Sequence, residues 1–437
     1  KKQSSVLLEG FSTNNFNNTA ILPFGNGRSY GDVCLNSNGT ILLTKNLDKV
    51  ISFDEENGVL ICESGITFEK ILNIITKKGW FLPVVPGTKY ITLGGAVAND
   101  IHGKNHHKSG SFGNFIKSFE LIRSDGRSYL CSEKKNKKLF SSTIGGLGLT
   151  GIIKWVEIDL IKIKSNTISA KTQRFSNLEE YWQINKELEN EWEYTVAWLD
   201  CIKTKSGNYR GVFHSGNHNK NTRNIKFSPL QISIPFNSPL PLINKLTIKI
   251  LNSLYFLLNK NKPVHHTHYE PFFFPLDKIR NWNRAYGKNG FIQYQFLLPK
   301  ENSKEGIKKI LDLINNTKLT PSLCVIKTFG DVPSKGILSF PRGGVTLAID
   351  FPIRGEKIFQ LLDSLDKIVL EYNGSIYPAK DARMSADTFK KSFKNYSEFL
   401  THKDQNFNSD FSELVYSTPL DATLNCGNIS NSISIRN

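Results

Sequence analysis

The stretch PGTKYITLGGAVANDIHGKNHHKSGSFGN, from Pro86 to Asn114, combines paired glycines, an Asp-Ile-His-Gly and two adjacent histidines in one loop-rich segment. Gly87 follows a proline and predicts a turn, and Gly94 and Gly95 open a short helix-like run. Because the free N–H groups at a helix start attract negative charge, this run suits a pyrophosphate. A metal site and a simple crowding of turns are the two alternatives.

Two further glycine clusters lie nearby, LPFGNGRSYGD (Leu22 to Asp32) and IGGLGLTG (Ile144 to Gly151). A dinucleotide-binding fingerprint requires G-x-G-x-x-G between a strand and a long helix. In the first cluster the third glycine, Gly31, comes one residue late, and loop-like and strand-like sequence follows it, which argues against a Rossmann nicotinamide site. Three glycine-rich turns favour an extended phosphorylated cofactor lying across several loops; three purely structural turns are the alternative.

The histidines are candidate metal ligands. His102 and His106 have His-x-x-x-His spacing, which suits zinc only on a continuous helix, and Gly103 interrupts such a helix. The group from His265 to His268 lies in loop-like sequence. We therefore expect no metal site.

The net charge of +17 is compatible with nucleic-acid binding, which Lys and Arg drive by neutralising phosphates. The basic residues are scattered, however, without a block of five or six, so a solvated lysine-rich surface is preferred. Anionic substrates or an anionic membrane surface remain alternatives.

The six cysteines are far apart and form no Cys-x-x-Cys, which predicts reduced thiols in a cytoplasmic protein. The first residues show no signal-peptide pattern.

One segment raises the question of a membrane. No stretch reaches the ~18 uninterrupted apolar residues of a membrane span. The nearest, Leu242 to Lys260, is broken by Lys245 and Lys249 and predicts a basic, partly amphipathic helix. Such a helix lies either in the membrane interface or against its own domain.

The first third of the chain has an α+β pattern. Val50 to Gly65 and Ser118 to Cys131 each contain two apolar runs around Asn-Gly or Asp-Gly, which predicts hairpins. Thr67 to Gly79 has helical periodicity with an N-cap threonine and a glycine stop. Thr150 to Ile163 alternates like a half-buried strand.

A second region begins near Ser165. Its elements follow the order β-α-β-β-α near the C-terminal end, which predicts an antiparallel sheet covered by helices. The predicted elements are a helix over Glu179 to Glu191, a strand over Tyr194 to Ile202, a proline-rich loop over Phe227 to Leu242, strands over Gly290 to Pro299, Pro321 to Gly330 and Gly343 to Ile353, and helices over Ser303 to Asn316 and Gly355 to Gly374.

Several motifs together resemble one flavoenzyme family. GNGRSYGD, the opening stretch, GGLGLTGII, WNRAYGKNGFIQYQF, IDFPI and YPAKDAR follow one another between Leu22 and Arg383. In this order they are similar to segments of the decaprenylphosphoryl-β-D-ribose 2′-oxidase family, flavoenzymes of the vanillyl-alcohol-oxidase/p-cresol-methylhydroxylase type. DIHGKNHH and YPAKDAR are the specific motifs among them.

The resemblance implies an α+β fold in three parts. A two-subdomain FAD-binding domain of the p-cresol-methylhydroxylase type would span residues 1–165. A substrate-binding domain over 166–395, with an antiparallel sheet covered by helices, would lie over the isoalloxazine. A C-terminal segment, 396–437, would return to the FAD-binding domain.

The resemblance also implies site residues. The catalytic group is expected to be Lys380, with Tyr377 and His102; Lys380 would hydrogen-bond the substrate alcohol oxygen and favour negative charge there, and no residue is identified as the base. The substrate residues are Tyr30, Gln293, Gln295, Lys327, Phe329 and Asp350. The cofactor residues are Pro23, Phe24, Gly25, Asn26, Gly27, Arg28, Ser29, Tyr30, Gly31, Asp32, Val33, Gly87, Thr92, Leu93, Gly94, Gly95, Asn99, Asp100, Ile101, His102, Ile153 and Tyr377.

One substitution bears on how FAD is held. In relatives that bind FAD covalently, the turn has the sequence Gly-x-Gly-His-Ser, and that histidine bonds the flavin. This chain has Arg28 at the position. The resemblance therefore predicts non-covalent FAD, with Arg28 as a charge partner.

The implied reaction is oxidation of a secondary sugar hydroxyl to a ketone, on a sugar expected to carry a polyprenyl phosphate. It would be the first half of an epimerisation in cell-envelope polysaccharide synthesis, with a separate short-chain dehydrogenase reducing the product. The expected location is cytoplasmic, peripheral at the inner face of the membrane through Leu242 to Lys260. An FAD-dependent oxidase of soluble sugars, alditols or aldonolactones is the alternative enzyme; a zinc hydrolase and a nucleic-acid-binding protein are the rival classes.

Overall fold

The computed structural model describes residues 4–7, 20–204, 206–228, 231–237, 242–317 and 319–416. Its first ten strands form three sheets. The strands are β1 Ser4–Leu7, β2 Ile21–Phe24, β3 Thr40–Leu43, β4 Val50–Asp54, β5 Val59–Glu63, β6 Trp80–Phe81, β7 Ile116–Ile122, β8 Ser128–Ser132, β9 Ile152–Asp159 and β10 Ile161–Lys162. The helices among them are α1 Phe68–Ile75, α2 Leu93–Ala98, α3 His106–Ser109 and α4 Lys137–Thr143.

A parallel sheet of order β1-β3-β2 stands beside an antiparallel sheet of order β4-β5-β9-β7-β8, and β6 pairs with β10. The two predicted hairpins are confirmed, β4–β5 and β7–β8. Gly58 and Gly126 have φ of 70° and 79° in their turns, a conformation in which a side chain is strained. Thr67 caps α1 by accepting from the amide of Lys70.

The second part of the chain is built on one large sheet. Its strands are β11 Thr167–Phe175, β12 Tyr194–Leu199, β13 Gly211–His218, β14 Ile232–Ser233, β15 Lys262–His268, β16 Ile279–Arg280, β17 Phe291–Leu298, β18 Leu323–Phe329, β19 Gly344–Pro352 and β20 Ser375–Ile376. The helices are α5 Leu178–Leu188, α6 Lys245–Leu258, α7 Tyr269–Phe273, α8 Ser303–Asn316, α9 Lys357–Glu371, α10 Ala386–Ser392, α11 Tyr396–Leu400 and α12 Asp410–Tyr416.

Eight of these strands form an antiparallel sheet of order β15-β11-β13-β12-β18-β19-β17-β20. The apolar sides of α8 and α9 pack on one face of it and share a hydrophobic core with strand residues such as Phe296 and Leu347. The predicted antiparallel sheet covered by helices is therefore confirmed, as is the α+β class.

The pleat of the central strands sorts their side chains between two faces. In β17, Ile292, Tyr294 and Phe296 belong to the core, whereas Gln293 and Gln295 alternate with them and take the opposite face. The register pairs Gln293 with Asp350 and Lys327 with Thr346. The polar residues of three strands therefore meet on the sheet face away from α8 and α9.

Two parts of the second region differ from expectation. The segment around His265 to His268, predicted as loop, is strand β15, because its backbone pairs with β11 at the sheet edge. The proline-rich stretch contains a two-residue strand, β14, which pairs with β16. Residues 229–230 and 238–241 of that stretch lie outside the described residues.

Residues 396–416 contact the N-terminal sheets. The amide of Ile21 donates to the carbonyl of Asn406 at 2.8 Å, and the amide and hydroxyl of Ser124 donate to the Asp404 carboxylate at 2.9 and 2.6 Å. The rest of the expected C-terminal segment, residues 417–437, lies outside the described residues. Of the helices in the described part of the chain, none is both long enough and apolar enough to cross a membrane.

Candidate active site

A cavity of about 1270 Å³ separates the glycine-rich loops of the N-terminal region from the polar face of the eight-stranded sheet. Two distant motifs meet at its wall. The amide of Tyr30 donates to the carbonyl of Ala379 at 2.9 Å, and a Cβ at Gly31 would lie 1.6 Å from the carbonyl oxygen of Asp381. Only glycine at position 31 allows GNGRSYGD and YPAKDAR to pack this closely.

Most of the predicted cofactor residues line this cavity. Most of them come from the turn after β2, from the segment before α2, and from α2 and the residues that follow it, whereas Ile153 belongs to β9 and Tyr377 follows β20. Those lining the cavity are Pro23, Gly25, Asn26, Gly27, Arg28, Ser29, Tyr30, Val33, Gly87, Thr92, Gly94, Gly95, Asn99, Ile101, His102, Ile153 and Tyr377.

The remaining predicted residues stand behind the wall. Asp100 is fully buried and accepts from Ser111 Oγ at 2.9 Å and the Gly113 amide at 2.8 Å, so it fixes the loop that follows His102. Phe329 is buried against the His102 ring, with centroids 4.8 Å apart. The predicted site residues that do not line the cavity are Phe24, Gly31, Asp32, Leu93, Asp100, Phe329 and Asp350.

Glycines shape the cofactor side in two ways. At Gly25 a Cβ would lie 2.2 Å from Thr92 Oγ1, which is the atom that caps α2 by accepting from the Gly95 amide. At Gly87 a Cβ would meet no protein atom within 4 Å. Gly25 is therefore required by the protein's own packing, whereas Gly87 leaves free space along the cavity.

Three residues of the wall carry hydrogen-bonding atoms that the described residues leave unsatisfied. Ser64 Oγ, Asn99 Oδ1 and His102 Nδ1 are buried and have no hydrogen-bond partner there. Buried polar groups in native proteins normally have partners, and a polar group bound in the cavity would supply them. The wall therefore fits a cofactor with many hydrogen-bonding atoms, as FAD has.

The protonation of His102 follows from its neighbours. Thr346 Oγ1 donates to the Phe296 carbonyl at 2.8 Å and accepts from Gln295 Nε2 at 3.1 Å. The same Nε2 lies 3.0 Å from His102 Nε2, which must accept from it. Burial above all, and then the charge of Lys327, hold the pKa of His102 well below its usual value. His102 is thus neutral, with its proton on Nδ1.

Lys380 lines the sheet side of the cavity, is partly buried and lies against an aromatic ring. Its Nζ lies 4.0 Å from the centroid of the Tyr30 ring. Burial lowers the pKa of Lys380 to about 7, although the carboxylate of Asp350 opposes the shift and Lys327 adds to it. At neutral pH a substantial fraction of Lys380 is therefore the free amine, which can accept a proton.

Asp350 and Lys327 complete the ionisable groups of this face. Burial raises the pKa of Asp350 to about 6. The hydrogen bond that Gln293 Nε2 donates to it at 2.5 Å and the charge of Lys380 both lower this pKa, but by less. Burial lowers the pKa of Lys327 to about 8. Near neutral pH this face holds one carboxylate beside two lysines.

Sequence reasoning missed part of the wall. Ser64, at the end of β5, gave no signal because an isolated serine after a strand is common in any fold. The segment Leu276 to Phe291 also contributes, including Asp277, Arg280 and Lys288. Residues 282–291 of this segment fell within the quoted motif WNRAYGKNGFIQYQF, but Asp277, Arg280 and Lys288 were not predicted as site residues, because a sequence motif does not show which of its neighbours and side chains reach a cavity.

Comparisons with known proteins identify the cofactor and the family. A family model described as an FAD binding domain matches residues 11–132. The chain is 33% identical over 394 residues to decaprenylphosphoryl-beta-D-ribose oxidase of Mycolicibacterium smegmatis, covering 87% of this chain and 84% of that protein.

More distant relatives match shorter parts. Delta(24)-sterol reductase of Homo sapiens is 28% identical over 27% of this chain and 23% of its own length. D-lactate dehydrogenase of Anaerostipes hadrus is 27% identical over 39% of each chain. The FAD cofactor predicted from the motifs is confirmed. The chain belongs to the decaprenylphosphoryl-β-D-ribose oxidase family and is an FAD-dependent oxidoreductase.

Proposed function

We propose that the chain oxidises a secondary hydroxyl of a sugar to a ketone, and that this sugar is joined through phosphate to a polyprenyl lipid. The observation that carries the proposal is the cavity itself, in which Gln293, Gln295, Lys327 and Lys380 face the glycine-rich wall. Side chains of this kind orient a polyol and exchange a proton with it. The relative that matches most of the chain is named for a decaprenylphosphoryl ribose.

The glycine-rich wall is proposed to hold FAD. Gly87 leaves free space along the cavity for the cofactor, and Asn99 offers it a side-chain oxygen without a protein partner among the described residues. FAD, when bound, accepts a hydride from the carbon that bears the hydroxyl. The neutral His102 offers its Nδ1–H as a donor toward the cofactor side.

The residues of the sheet face are proposed to handle the hydroxyl. Lys380, as the free amine, accepts the proton that the hydroxyl loses when its carbon is oxidised. Gln293 and Gln295 orient the sugar; Asp350, held by Gln293, keeps a carboxylate near Lys380. Tyr377 positions the two sides of the site, because its hydroxyl donates to the Asn99 carbonyl at 3.1 Å.

The charge of the cavity supports an anionic substrate. Besides Lys380, the described residues that line it include four basic residues and a single acidic one, Asp277. Some of this positive charge would face the cofactor pyrophosphate, and the rest would attract a substrate phosphate. The four are Arg28, Arg280, Lys288 and Lys327.

The wider context is proposed as well. The ketone would be the first product of an epimerisation in cell-envelope polysaccharide synthesis, and a separate short-chain dehydrogenase would reduce it. The chain would work at the cytoplasmic face of the membrane, which it contacts through Leu242 to Lys260. Residues 1–165 would form the FAD-binding domain, 166–395 the substrate domain, and 396–437 the returning segment.

Anaerobic titration of the purified holoprotein tests the substrate. A polyprenyl-phosphoryl pentose should bleach the flavin absorbance, and the free pentose, an alditol and an aldonolactone should bleach it far more slowly. Equal or faster bleaching by the soluble compounds would reassign the enzyme to the soluble-sugar oxidases. A preparation that none of these compounds bleaches would contradict the proposal.

We expect all the FAD to leave the chain on denaturation. Arg28 has no nucleophilic atom that could replace the histidine of covalent relatives, and its guanidinium lies 5.7 Å from the centroid of the Tyr90 ring. Acid precipitation of the protein, followed by absorbance of supernatant and pellet, measures the outcome. A covalent flavoprotein treated in the same way is the control; yellow colour in the pellet of this protein would contradict the prediction.

Activity should rise with pH through about 7. Burial gives Lys380 a pKa of about 7, so the amine is protonated and unable to accept a proton below this pH, and becomes free above it. Values of kcat/KM measured between about pH 5.5 and 7.5, below the pKa of about 8 of Lys327, should increase with pH. A rate that falls as the pH rises would assign Lys380 to a charged, donor role instead.

A further inference from the structure

Helix α6 presents its apolar side to the outside of the molecule. Leu246, Ile250, Leu254, Leu257 and Leu258, here called the α6 face, are between 49% and 68% exposed. Their spacing of three and four residues places them on one side of the helix. Ile248 and Asn252 are the buried residues of the helix. A surface helix normally turns its apolar stripe towards the core, so the orientation of α6 requires another explanation.

Polar and cation–π contacts hold the inner side of α6 to the sheet. Asn252 Nδ2 donates to Asp200 Oδ1 at 2.8 Å, and Arg210 donates to Ser253 Oγ at 3.0 Å. The Arg210 guanidinium also lies 4.8 Å from the centroid of the Phe256 ring. These contacts fix the rotation of the helix about its axis, and that rotation keeps the α6 face exposed.

All the charged residues in the sequence around α6 are basic. From residue 201 to residue 269 it contains no Asp or Glu, and it contains ten Lys and Arg, so this segment carries +10 of the formal net charge of +17. Lys245 and Lys249 belong to α6 itself and are exposed. The ten are Lys203, Lys205, Arg210, Lys220, Arg223, Lys226, Lys245, Lys249, Lys260 and Lys262.

Hydrogen bonds link the start of α6 to the rim of the active-site cavity, and another exposed apolar residue lies beside that rim. Ile279 lines the cavity and belongs to β16, which pairs with β14, where Ile232 is 60% exposed. At the start of α6 the Arg354 guanidinium donates to the Ile243 carbonyl. The amide of Ile353, the residue before Arg354, donates to the carbonyl of Gly290 at 3.2 Å, and Gly290 lines the cavity.

We infer that the α6 face inserts into the headgroup region of a membrane that contains anionic phospholipid, and that this contact brings the cavity rim to the bilayer. Exposed leucines beside lysines are the side chains by which an interfacial helix binds such a surface, and the absence of carboxylates from residues 201 to 269 removes repulsion by lipid phosphates. The inference deepens the membrane contact that is part of the proposed function, and the delivery of a lipid-linked sugar to the cavity rests in addition on the proposed substrate.

Vesicle binding tests the inference without any substrate. The holoprotein should sediment with vesicles of phosphatidylcholine containing about 30% phosphatidylglycerol, less so at high salt, and not with phosphatidylcholine alone. The triple variant L246N/I250N/L257N should lower the partition coefficient by about 100-fold, because three apolar side chains no longer insert. Lys245→Gln with Lys249→Gln should lower it by about tenfold.

Matched variants on another surface control for general effects. I51N/L130N changes two apolar residues that are 53% and 40% exposed on the five-stranded sheet, and K134Q/K135Q removes two exposed lysines; both should bind as the parent does. Equal binding of the L246N/I250N/L257N variant would overturn the inference, as would no binding to the anionic vesicles. A dimer in solution that the L246N/I250N/L257N substitutions dissociate would also overturn the inference, since a second copy of the chain would then cover the α6 face. A failure of the sugar titration with intact vesicle binding would reject only the proposed substrate.

Discussion

Replacement of Lys380 by methionine lowers kcat/KM by about 1000-fold while FAD stays bound, since removal of a proton acceptor at the reacting group typically costs 100- to 10,000-fold. Methionine keeps most of the volume of lysine in this buried position, so the change removes the amine rather than the packing. Steady-state rates and the ratio of flavin to protein absorbance measure the two parts of the prediction.

Two further variants separate the roles that Lys380 could have. Lys380→Arg restores a cation that does not lose its proton, and it should be nearly as inactive as the methionine variant if the free amine is what matters. Lys367→Met, which alters an exposed lysine of α9 in the same part of the chain, is the matched control and should keep full activity. Activity of Lys380→Met within about threefold of the parent would refute the assignment.

Replacement of Gly87 by leucine produces a folded protein that no longer retains FAD. Gly87 lines the cavity, and a Cβ at this position meets no protein atom within 4 Å, so we expect a leucine side chain to occupy space that the cofactor needs. We expect the dissociation constant for FAD to rise by at least about 100-fold, because a close-packed binding surface tolerates little added volume. Absorbance of the purified protein and fluorescence titration of the apoprotein with FAD measure it.

Gly87→Ala is the graded control, with a smaller loss of affinity. Thermal unfolding of the two apoproteins should agree with that of the parent apoprotein within a few degrees, which separates lost binding from lost folding. A Gly87→Leu protein that is purified with its full flavin content would show that the cofactor does not pass this residue. The proposed course of FAD along the wall would then need revision.

Local structure was largely predictable from the sequence. The Asn57-Gly58 turn, the Thr67 cap and the apolar periodicities of α8 and α9 each depend on residues close in the chain, and the structure confirms the corresponding elements. The histidines of β15 show the limit of such reasoning. Their polar sequence indicated a loop, but pairing with β11, which is distant in the chain, makes them a strand.

The sequence by itself determined the hairpins, the helices, the glycines that close turns and the motifs that mark the family. Only the tertiary structure decided how ionisable residues behave. Lys380 differs from an exposed lysine solely in its burial beside Tyr30 and Asp350, and the proton of His102 is placed by Gln295 and Thr346. The rotation of α6, which turns its leucines outward, was likewise undecided before folding. Short-range patterns fix dihedral angles and periodicity, whereas pKa values and exposure depend on groups that only folding brings together.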